Sequence, residues 1–112
     1  MRKLKSGLSL ALILGLCLSL AACALSEDDV VGVWTSSYVY NGNDLDVAFA
    51  LDEDGTYAKV INKNGVLSSA EVGTWEIDGR RVLLHPDGEP GTTPYNYKGG
   101  KLENNDHYFT RE

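Results

Sequence analysis

The sequence is poor in cysteine, and no cysteine follows residue 23. It has 112 residues and two cysteines, Cys17 and Cys23. A fold built beyond residue 23 therefore has no internal disulfide and depends on its apolar core, which is marginal but possible for a domain of this size. Two tryptophans, two phenylalanines and six tyrosines have to supply much of the buried surface.

Basic residues are also few. Ten lysines and arginines stand against 16 aspartates and glutamates, and three of the cations are Arg2, Lys3 and Lys5. Without these three, 7 basic residues remain, and the net charge is 7 − 16 = −9. This balance argues against nucleic-acid binding and against attachment to an anionic membrane through a basic patch. We interpret the acidity as a contribution to solubility.

Recognisable catalytic and metal-ligand motifs are missing. The two histidines, His85 and His107, have no partners at a spacing that supplies the three or four ligands of a metal site, and we expect them at the surface near strand ends. No serine stands in a nucleophile elbow beside a base. The carboxylates at 52–54 lack the spacing of a calcium loop and are interpreted as a solvated turn. We predict no enzyme, no metal and no cofactor.

The first 22 residues have the layout of an export signal. A basic start precedes an apolar stretch from Gly7 to Leu20, which is shorter than the roughly 20 apolar residues of a membrane-spanning helix. The run Leu20-Ala21-Ala22-Cys23 at its end resembles a bacterial lipobox.

The resemblance to bacterial lipoproteins implies cleavage between Ala22 and Cys23 and a diacylglycerol on the Cys23 sulfur. A second acyl group on the new amino terminus would make anchoring stable. Ala24 stands where an aspartate would favour retention at the inner membrane, so the expected location is the cell membrane or the outer membrane, facing outside the cytoplasm. The expected segments are a signal peptide (1–22), a lipidated tether (23–29) and a barrel domain (30–112).

Turn residues interrupt the chain at seven points and imply eight short segments. These points are Asn41-Gly42, Asp54-Gly55, Asn64-Gly65, Asp78-Gly79, the loop from Asp87 to Pro94, Gly99-Gly100 and Asn104-Asn105-Asp106.

The segments alternate with period two, as half-buried strands do. Every second residue from Leu45 to Leu51 is large and apolar, and the fourth segment places Gly73, Trp75 and Ile77 on one face. No later window shows a helical stripe. The one expected exception is a helical turn at 26–31, in which Ser26 caps and Asp29 closes a capping box.

Eight short antiparallel strands predict an all-β fold, a small up-and-down β-barrel that leaves no free edge. A two-sheet sandwich is the alternative, although it usually needs longer crossing connections. Segments of about six residues reach about 20 Å. The interior of an eight-stranded barrel is just wide enough for side chains to fill it or for one small ligand, and both outcomes remain open.

Three short motifs resemble bacterial lipocalin-like lipoproteins over about residues 30–109. They are Gly32-Val33-Trp34, the hairpin Leu51-Asp52-Glu53-Asp54-Gly55-Thr56-Tyr57, and Gly73-Thr74-Trp75-Glu76-Ile77-Asp78-Gly79. The resemblance implies a lipocalin-like barrel whose base is closed by Trp34. Typical lipocalins are far longer, and their longer strands enclose a deeper ligand chamber.

The hairpin and the stretch Tyr95-Asn96-Tyr97…Leu102-Glu103 are also similar to the amino-terminal barrel of NlpE-type envelope lipoproteins. Those proteins carry Cys-x-x-Cys in the first loop. The corresponding region here, from Tyr40 to Asp44, has no cysteine, so their copper and thiol chemistry is not implied.

Aromatic residues are the candidate ligand or core residues. Trp34 and Trp75 share a Gly-x-Trp context, and we favour core packing over ligand stacking because the glycine would leave room for the indole. Tyr38, Tyr57 and Tyr97 are candidates as well, because tyrosine suits interfaces. The remaining tyrosines that could crowd one barrel mouth are Tyr40, Tyr95 and Tyr108.

Two classes of function fit these observations. The first is a monomeric, membrane-anchored barrel that binds a small apolar ligand or a protein partner. The alternative is an envelope interaction protein, a stress sensor or enzyme inhibitor, with a packed interior and a functional outer surface. One basic doublet, Arg80-Arg81, is expected to balance Glu76 and Asp78 or to mark a contact point.

Overall fold

A computed structural model describes residues 24–112, which form a closed antiparallel barrel of eight strands joined in chain order. The elements are α1 (Glu27–Val30), β1 (Gly32–Tyr40), β2 (Asn43–Leu51), β3 (Thr56–Lys63), β4 (Val66–Asp78), β5 (Arg81–Pro86), β6 (Thr93–Lys98), β7 (Lys101–Asn104) and β8 (His107–Arg111). The predicted all-β, up-and-down barrel is confirmed, and the sandwich is excluded. The predicted signal peptide, its cleavage at Ala22 and the lipidation of Cys23 concern residues outside the described range.

Tight turns set the order of the strands because they return the chain at once to its neighbour. Asn41 and Gly42 have φ values of 51° and 77°, as a two-residue type I′ hairpin turn requires. The turns place one set of strand ends together, here called the upper end, and the opposite set at the lower end. The upper end carries residues 41–42, 64–65, 87–92 and 105–106, and the lower end carries α1 and residues 52–55, 79–80 and 99–100.

The strands are unequal in length. β1 to β4 contain 8 to 13 residues, whereas β5 to β8 contain 4 to 6. The expectation of about six residues per strand is therefore wrong for the first half of the barrel. β4 is the longest, because no turn residues separate Val66 from Asp78 and its pairing with β3 continues past a register shift between Ile61 and Asn62.

Two places in the barrel wall have incomplete pairing. β1 pairs with β8 at Trp34↔Arg111 and Thr35↔Thr110, the Glu112 N–H donates to the Val33 carbonyl at 2.9 Å, and the register between the two strands does not continue toward the upper end. β5 ends at Pro86 opposite Gly73. The part of β4 from Val66 to Val72, here called the β4 edge, is therefore paired with β3 alone among the described strands.

The lower end is sealed by the segment before β1. Leu25 is buried and donates its N–H to the Gly79 carbonyl at 2.9 Å. Val30 is fully buried, and its carbonyl accepts a hydrogen bond from the Trp34 indole at 2.8 Å. The Arg111 guanidinium donates to the Asp28 and Val31 carbonyls at 3.0 Å each. The stretch interpreted as a tether is thus docked on the barrel from Leu25 onward.

The helical turn was predicted correctly. The Asp29 carboxylate accepts hydrogen bonds from the Ser26 N–H at 3.0 Å and the Ser26 hydroxyl at 3.1 Å, which is the carboxylate half of a capping box. Within residues 24–112, no helix is long and apolar enough to cross a membrane.

Candidate binding site at the upper end of the barrel

Both tryptophans lie in the core rather than at an accessible site. Trp34 is fully buried and Trp75 is 7 % exposed. Each indole N–H already donates a hydrogen bond. The Trp34 N–H donates to the Val30 carbonyl at 2.8 Å, and the Trp75 N–H donates to the Asp52 carbonyl at 2.8 Å. A buried, hydrogen-bonded indole stabilises the fold and has no donor left for a ligand.

The glycines of the two Gly-x-Trp motifs do not make room for the indoles, so that expectation is wrong. A Cβ at Gly73 would lie 2.1 Å from the His85 carbonyl oxygen and 2.8 Å from the Tyr57 ring. A Cβ at Gly32 would instead meet the Arg111 side chain, and Gly32 has a φ of +135°, which an L side chain rarely adopts. The two motifs share a sequence pattern, but the glycine is required for a different structural reason in each.

An aromatic cluster fills the middle of the barrel. Phe49 lies 5.0 Å from Tyr95 and 5.2 Å from Phe109 between ring centroids, and Tyr95 meets Phe109 edge-on at 5.5 Å. Tilted and edge-on rings at these separations are the favoured geometry for aromatic pairs. Together with Trp34 and Trp75, the cluster occupies the interior where a lipocalin-like barrel would otherwise hold a deep chamber.

A polar layer lies inside the barrel on the inward faces of β3 and β4. The Tyr57 hydroxyl donates to the Glu71 carboxylate at 2.6 Å, and Lys59 Nζ donates to the Tyr95 hydroxyl at 3.4 Å. Lys59 and Glu71 are half-buried. Sequence reasoning singled out neither of them, although the alternation of Tyr57, Lys59 and Ile61 would have placed Lys59 on the inward face.

Burial keeps the two phenols of this layer protonated. It raises the pKa of Tyr95 to about 12, with further contributions from the Glu71 charge and from Tyr38. Burial also raises the pKa of Tyr57 well above its ordinary value, followed by its hydrogen bond to Glu71. Both hydroxyls therefore act as neutral hydrogen-bonding groups at physiological pH.

A groove opens at the upper end, beyond the point where the pairing of β1 with β8 stops. Tyr38 and His107 stack across this gap, with ring centroids 3.7 Å apart and planes inclined by 11°. We call the surrounding space, of about 500 Å³, the mouth groove. It is lined by Tyr38, Tyr40, Leu45, Asn104, Asn105 and His107.

The candidate tyrosines are distributed over the molecule. Tyr38 and Tyr40 line the mouth groove, whereas Tyr57 and Tyr95 are buried. Tyr97 is half-buried at the lower end, where the Arg80 guanidinium lies 5.4 Å from its ring centroid. Of this set, only Tyr38 and Tyr40 meet at one site; the sixth tyrosine, Tyr108, is exposed on the outer face of β8.

The histidines lie near strand ends, as expected, and are partly exposed. His85 lies 2.5 Å from the Glu76 carboxylate and 3.1 Å from the Thr92 hydroxyl, and neither histidine is fully exposed. Arg81 pairs with Asp78 at 2.6 Å, as expected, but Glu76 is taken by His85.

The acidic turn holds its own backbone. The Asp54 carboxylate accepts hydrogen bonds from the Thr56 hydroxyl at 2.6 Å and the Thr56 N–H at 3.0 Å. These bonds, the hydroxyl first, lower the pKa of Asp54. Among residues 24–112, no three histidine, cysteine, aspartate or glutamate side chains converge in a way that could hold a metal ion.

Comparisons with protein-family models, curated proteins and solved structures found no match to this chain. The mouth groove is thus identified by its geometry alone. It combines exposed aromatic surface with side-chain amides above a filled interior.

Proposed function

We propose that this protein is a lipocalin-like lipoprotein of the bacterial envelope, anchored through acylated Cys23, that acts as a monomer and binds a small ligand in the mouth groove. The ligand has an apolar face that stacks on tyrosine and hydrogen-bonding groups at its edge, as a sugar has. The protein performs no catalysis in this proposal.

The observation that carries the proposal is the pairing of aromatic and amide groups at the open end. Tyr40 is 59 % exposed and offers most of the ring surface, whereas one face of the half-buried Tyr38 ring is covered by His107. Asn104 and Asn105 line the same groove. The Asn104 amide donates to the Pro94 carbonyl at 2.8 Å, which fixes its orientation and leaves its oxygen as an acceptor, and the Asn105 amide can both donate and accept hydrogen bonds. A flat ligand with polar edges would match this arrangement.

The filled interior supports a shallow site over a deep one. The Phe49, Tyr95 and Phe109 rings occupy the middle of the barrel, and Lys59, which is paired with Phe49, donates to the Tyr95 hydroxyl. A long apolar ligand would have to displace these side chains and leave charged groups without partners, which is costly. A ligand that remains in the mouth groove avoids this cost.

The position of the docked N-terminal segment supports the proposed orientation. Leu25 is fixed at the lower end by its bond to Gly79, and two further residues reach back no more than about 7 Å to Cys23. An acyl anchor there would hold the lower end against the bilayer. The mouth groove would then point away from the membrane, toward the surrounding solution.

Ligand-observed saturation-transfer NMR tests the proposal. The full-length protein in nanodiscs would be screened against a panel of mono- and disaccharides. We expect transfer to the ring protons of at least one sugar, and its loss in Tyr40→Ala. The matched control is Tyr108→Ala, which removes an equally exposed tyrosine from the outer face of β8. Absence of transfer, or equal transfer in Tyr40→Ala, would contradict the proposal.

The anchor has its own test. Replacing Cys23 by serine should release the protein from membranes, and labelled palmitate should appear on the unsubstituted chain but not on the variant. A variant that stays membrane-bound would contradict the anchor and leave the mouth groove unaffected.

The filled interior also favours the second function, an envelope interaction or enzyme-inhibitor protein that acts through its outer surface. A photo-crosslinking residue placed at Tyr108 in whole cells would distinguish the two. One recurrent crosslinked envelope protein, together with a silent sugar screen, would favour the surface role.

A further inference from the structure

Among the described residues, no strand pairs with the β4 edge on the side away from β3. Asp87 donates its N–H to the Val72 carbonyl at 3.0 Å, and beyond this bond the chain leaves β4. Because backbone groups alternate along a strand, the Ala70 N–H and C=O point to the same side as the Val72 carbonyl. They face the groove between β4 and the loop that follows β5.

The side chains along this edge are apolar and accessible. Val66, Leu67 and Val72 are 69 %, 62 % and 59 % exposed. Proteins usually protect strand edges with lysine, proline or a covering segment. The sequence from Val66 to Val72 contains neither lysine nor proline, and its one charged residue, Glu71, is half-buried and bonded to Tyr57.

The groove beside the edge is acidic. It has a volume of about 440 Å³ and is lined by Ser69, Ala70, Glu71, Val72, Pro86, Asp87 and Glu89. Its three ionisable residues, Glu71, Asp87 and Glu89, are all acids. An occupant with positive charge is therefore favoured over one with negative charge.

We propose that the β4 edge binds an extended, cationic peptide segment of another envelope protein, which adds a further strand to the sheet. Backbone hydrogen bonds to Ala70 and its neighbours would give affinity, and alternate side chains would give specificity. Apolar residues of the segment would cover Leu67 and Val72, and a lysine or arginine would meet Asp87 and Glu89.

A second copy of this chain is a poorer occupant. Two identical edges pair antiparallel about a two-fold axis, so the lower ends of the two barrels would point in opposite directions. Anchors at both lower ends could not then hold both barrels upright on one bilayer. The strongly acidic balance of the chain also opposes self-association.

Hydrogen–deuterium exchange tests this proposal on the full-length protein in nanodiscs. The probe is an octapeptide of alternating lysine and valine, acetylated and amidated at its ends. We expect slower exchange over 66–72 and no change over 43–51, the reference segment in β2. The control probes replace lysine by glutamate, or carry N-methyl groups on the backbone amides of one edge.

Two kinds of substitution separate backbone pairing from charge. Ala70→Pro removes an edge-facing N–H that is not part of the β3–β4 ladder, and proline is tolerated at such positions; we expect roughly tenfold weaker peptide binding. Asp87→Asn with Glu89→Gln should weaken binding about threefold. Glu53→Gln, in the exposed turn at the lower end, is the matched control and should have no effect.

Several outcomes would overturn the proposal. Equal protection by the glutamate probe would remove the charge argument, and equal protection by the N-methylated probe would remove strand addition. If 66–72 becomes protected with increasing protein concentration and no peptide, the occupant is a second copy. If no probe slows exchange, the edge is not a peptide site. None of these results bears on sugar binding at the mouth groove.

Discussion

The lower and upper ends of this barrel are built from the same strands but differ in almost every physical respect. At the lower end, Leu25 and Val30 cover the core, and the Trp34 indole has a backbone partner. At the upper end, the pairing of β1 with β8 has stopped, β4 extends past β5, and Tyr38 and His107 line an open groove. The comparison indicates that one end holds the fold together while the other is left accessible.

The largest expected effect is at the lower end. Trp34→Ala should reduce the free energy of unfolding by about 3–5 kcal/mol, because it removes a fully buried indole and leaves a cavity. Urea unfolding of Trp34→Ala and of Tyr40→Ala measures the difference in stability loss between the two ends. The exposed tyrosine should change stability by less than about 0.5 kcal/mol. Comparable losses in both variants would contradict the division between the ends.

Gly73→Ala should destabilise by about 3 kcal/mol, because the new methyl group would meet backbone at His85 as well as the Tyr57 ring. Urea unfolding measures the loss, and Thr74→Ala on the opposite face is the matched control. Adding Tyr57→Ala to the Gly73→Ala variant should not restore stability, because the His85 carbonyl remains in place. Rescue by that change would show that only the ring is in the way.

Raising the pH should weaken the polar layer. Burial holds the Tyr95 pKa at about 12 in the folded state, against about 10 in the unfolded chain. The folded state therefore keeps a proton that the unfolded state loses. This contribution, on the order of 2 kcal/mol, is complete below about pH 10 and disappears as the pH rises through about 12.

The two pKa values set a test range of roughly pH 9 to 12. Over this range, absorbance at 295 nm measures tyrosine ionisation, and urea unfolding measures the free energy of unfolding. Tyr95→Phe should show a shallower loss of stability over the same range. Tyr108→Phe, at an exposed position, should behave as the unsubstituted chain does. An unchanged slope in Tyr95→Phe would assign the pH dependence to other groups.

The smallest expected effect is at the mouth groove. His107→Ala removes the ring that stacks on Tyr38 and should cost about 1 kcal/mol. Tyr108→Ala, the next residue of β8 and on its outer face, should cost less. Urea unfolding distinguishes them. If His107→Ala were as harmful as Trp34→Ala, the upper end would be as important for stability as the lower end.

Sequence alone predicted the barrel because its determinants are local. Asn41-Gly42 fixes a hairpin without reference to the rest of the chain, and the alternation from Leu45 to Leu51 sets which side chains point inward. Strand length was not predictable in the same way. Turn residues mark where strands can end, and none stands between Val66 and Asp78. How far β4 stays paired with β3 past the register shift depends on both strands together.

The candidate site depended on contacts that only closure of the barrel creates. Tyr38 and His107 are far apart in sequence, and nothing near either residue indicates that they stack. Lys59 meets Tyr95 across the interior for the same reason. The role of Gly73 was misassigned because its neighbours, Tyr57 and His85, come from the two adjoining strands.

The pairing between β1 and β8 has a consequence for assembly. Each hairpin can form from neighbouring residues on a microsecond timescale, but Trp34↔Arg111 and Thr35↔Thr110 join the first strand to the eighth. Loop-closure entropy makes this the slowest pairing to nucleate. The barrel should therefore close last by pairing of β1 with β8. Thermal fluctuations should also break this pairing before that of the other strands.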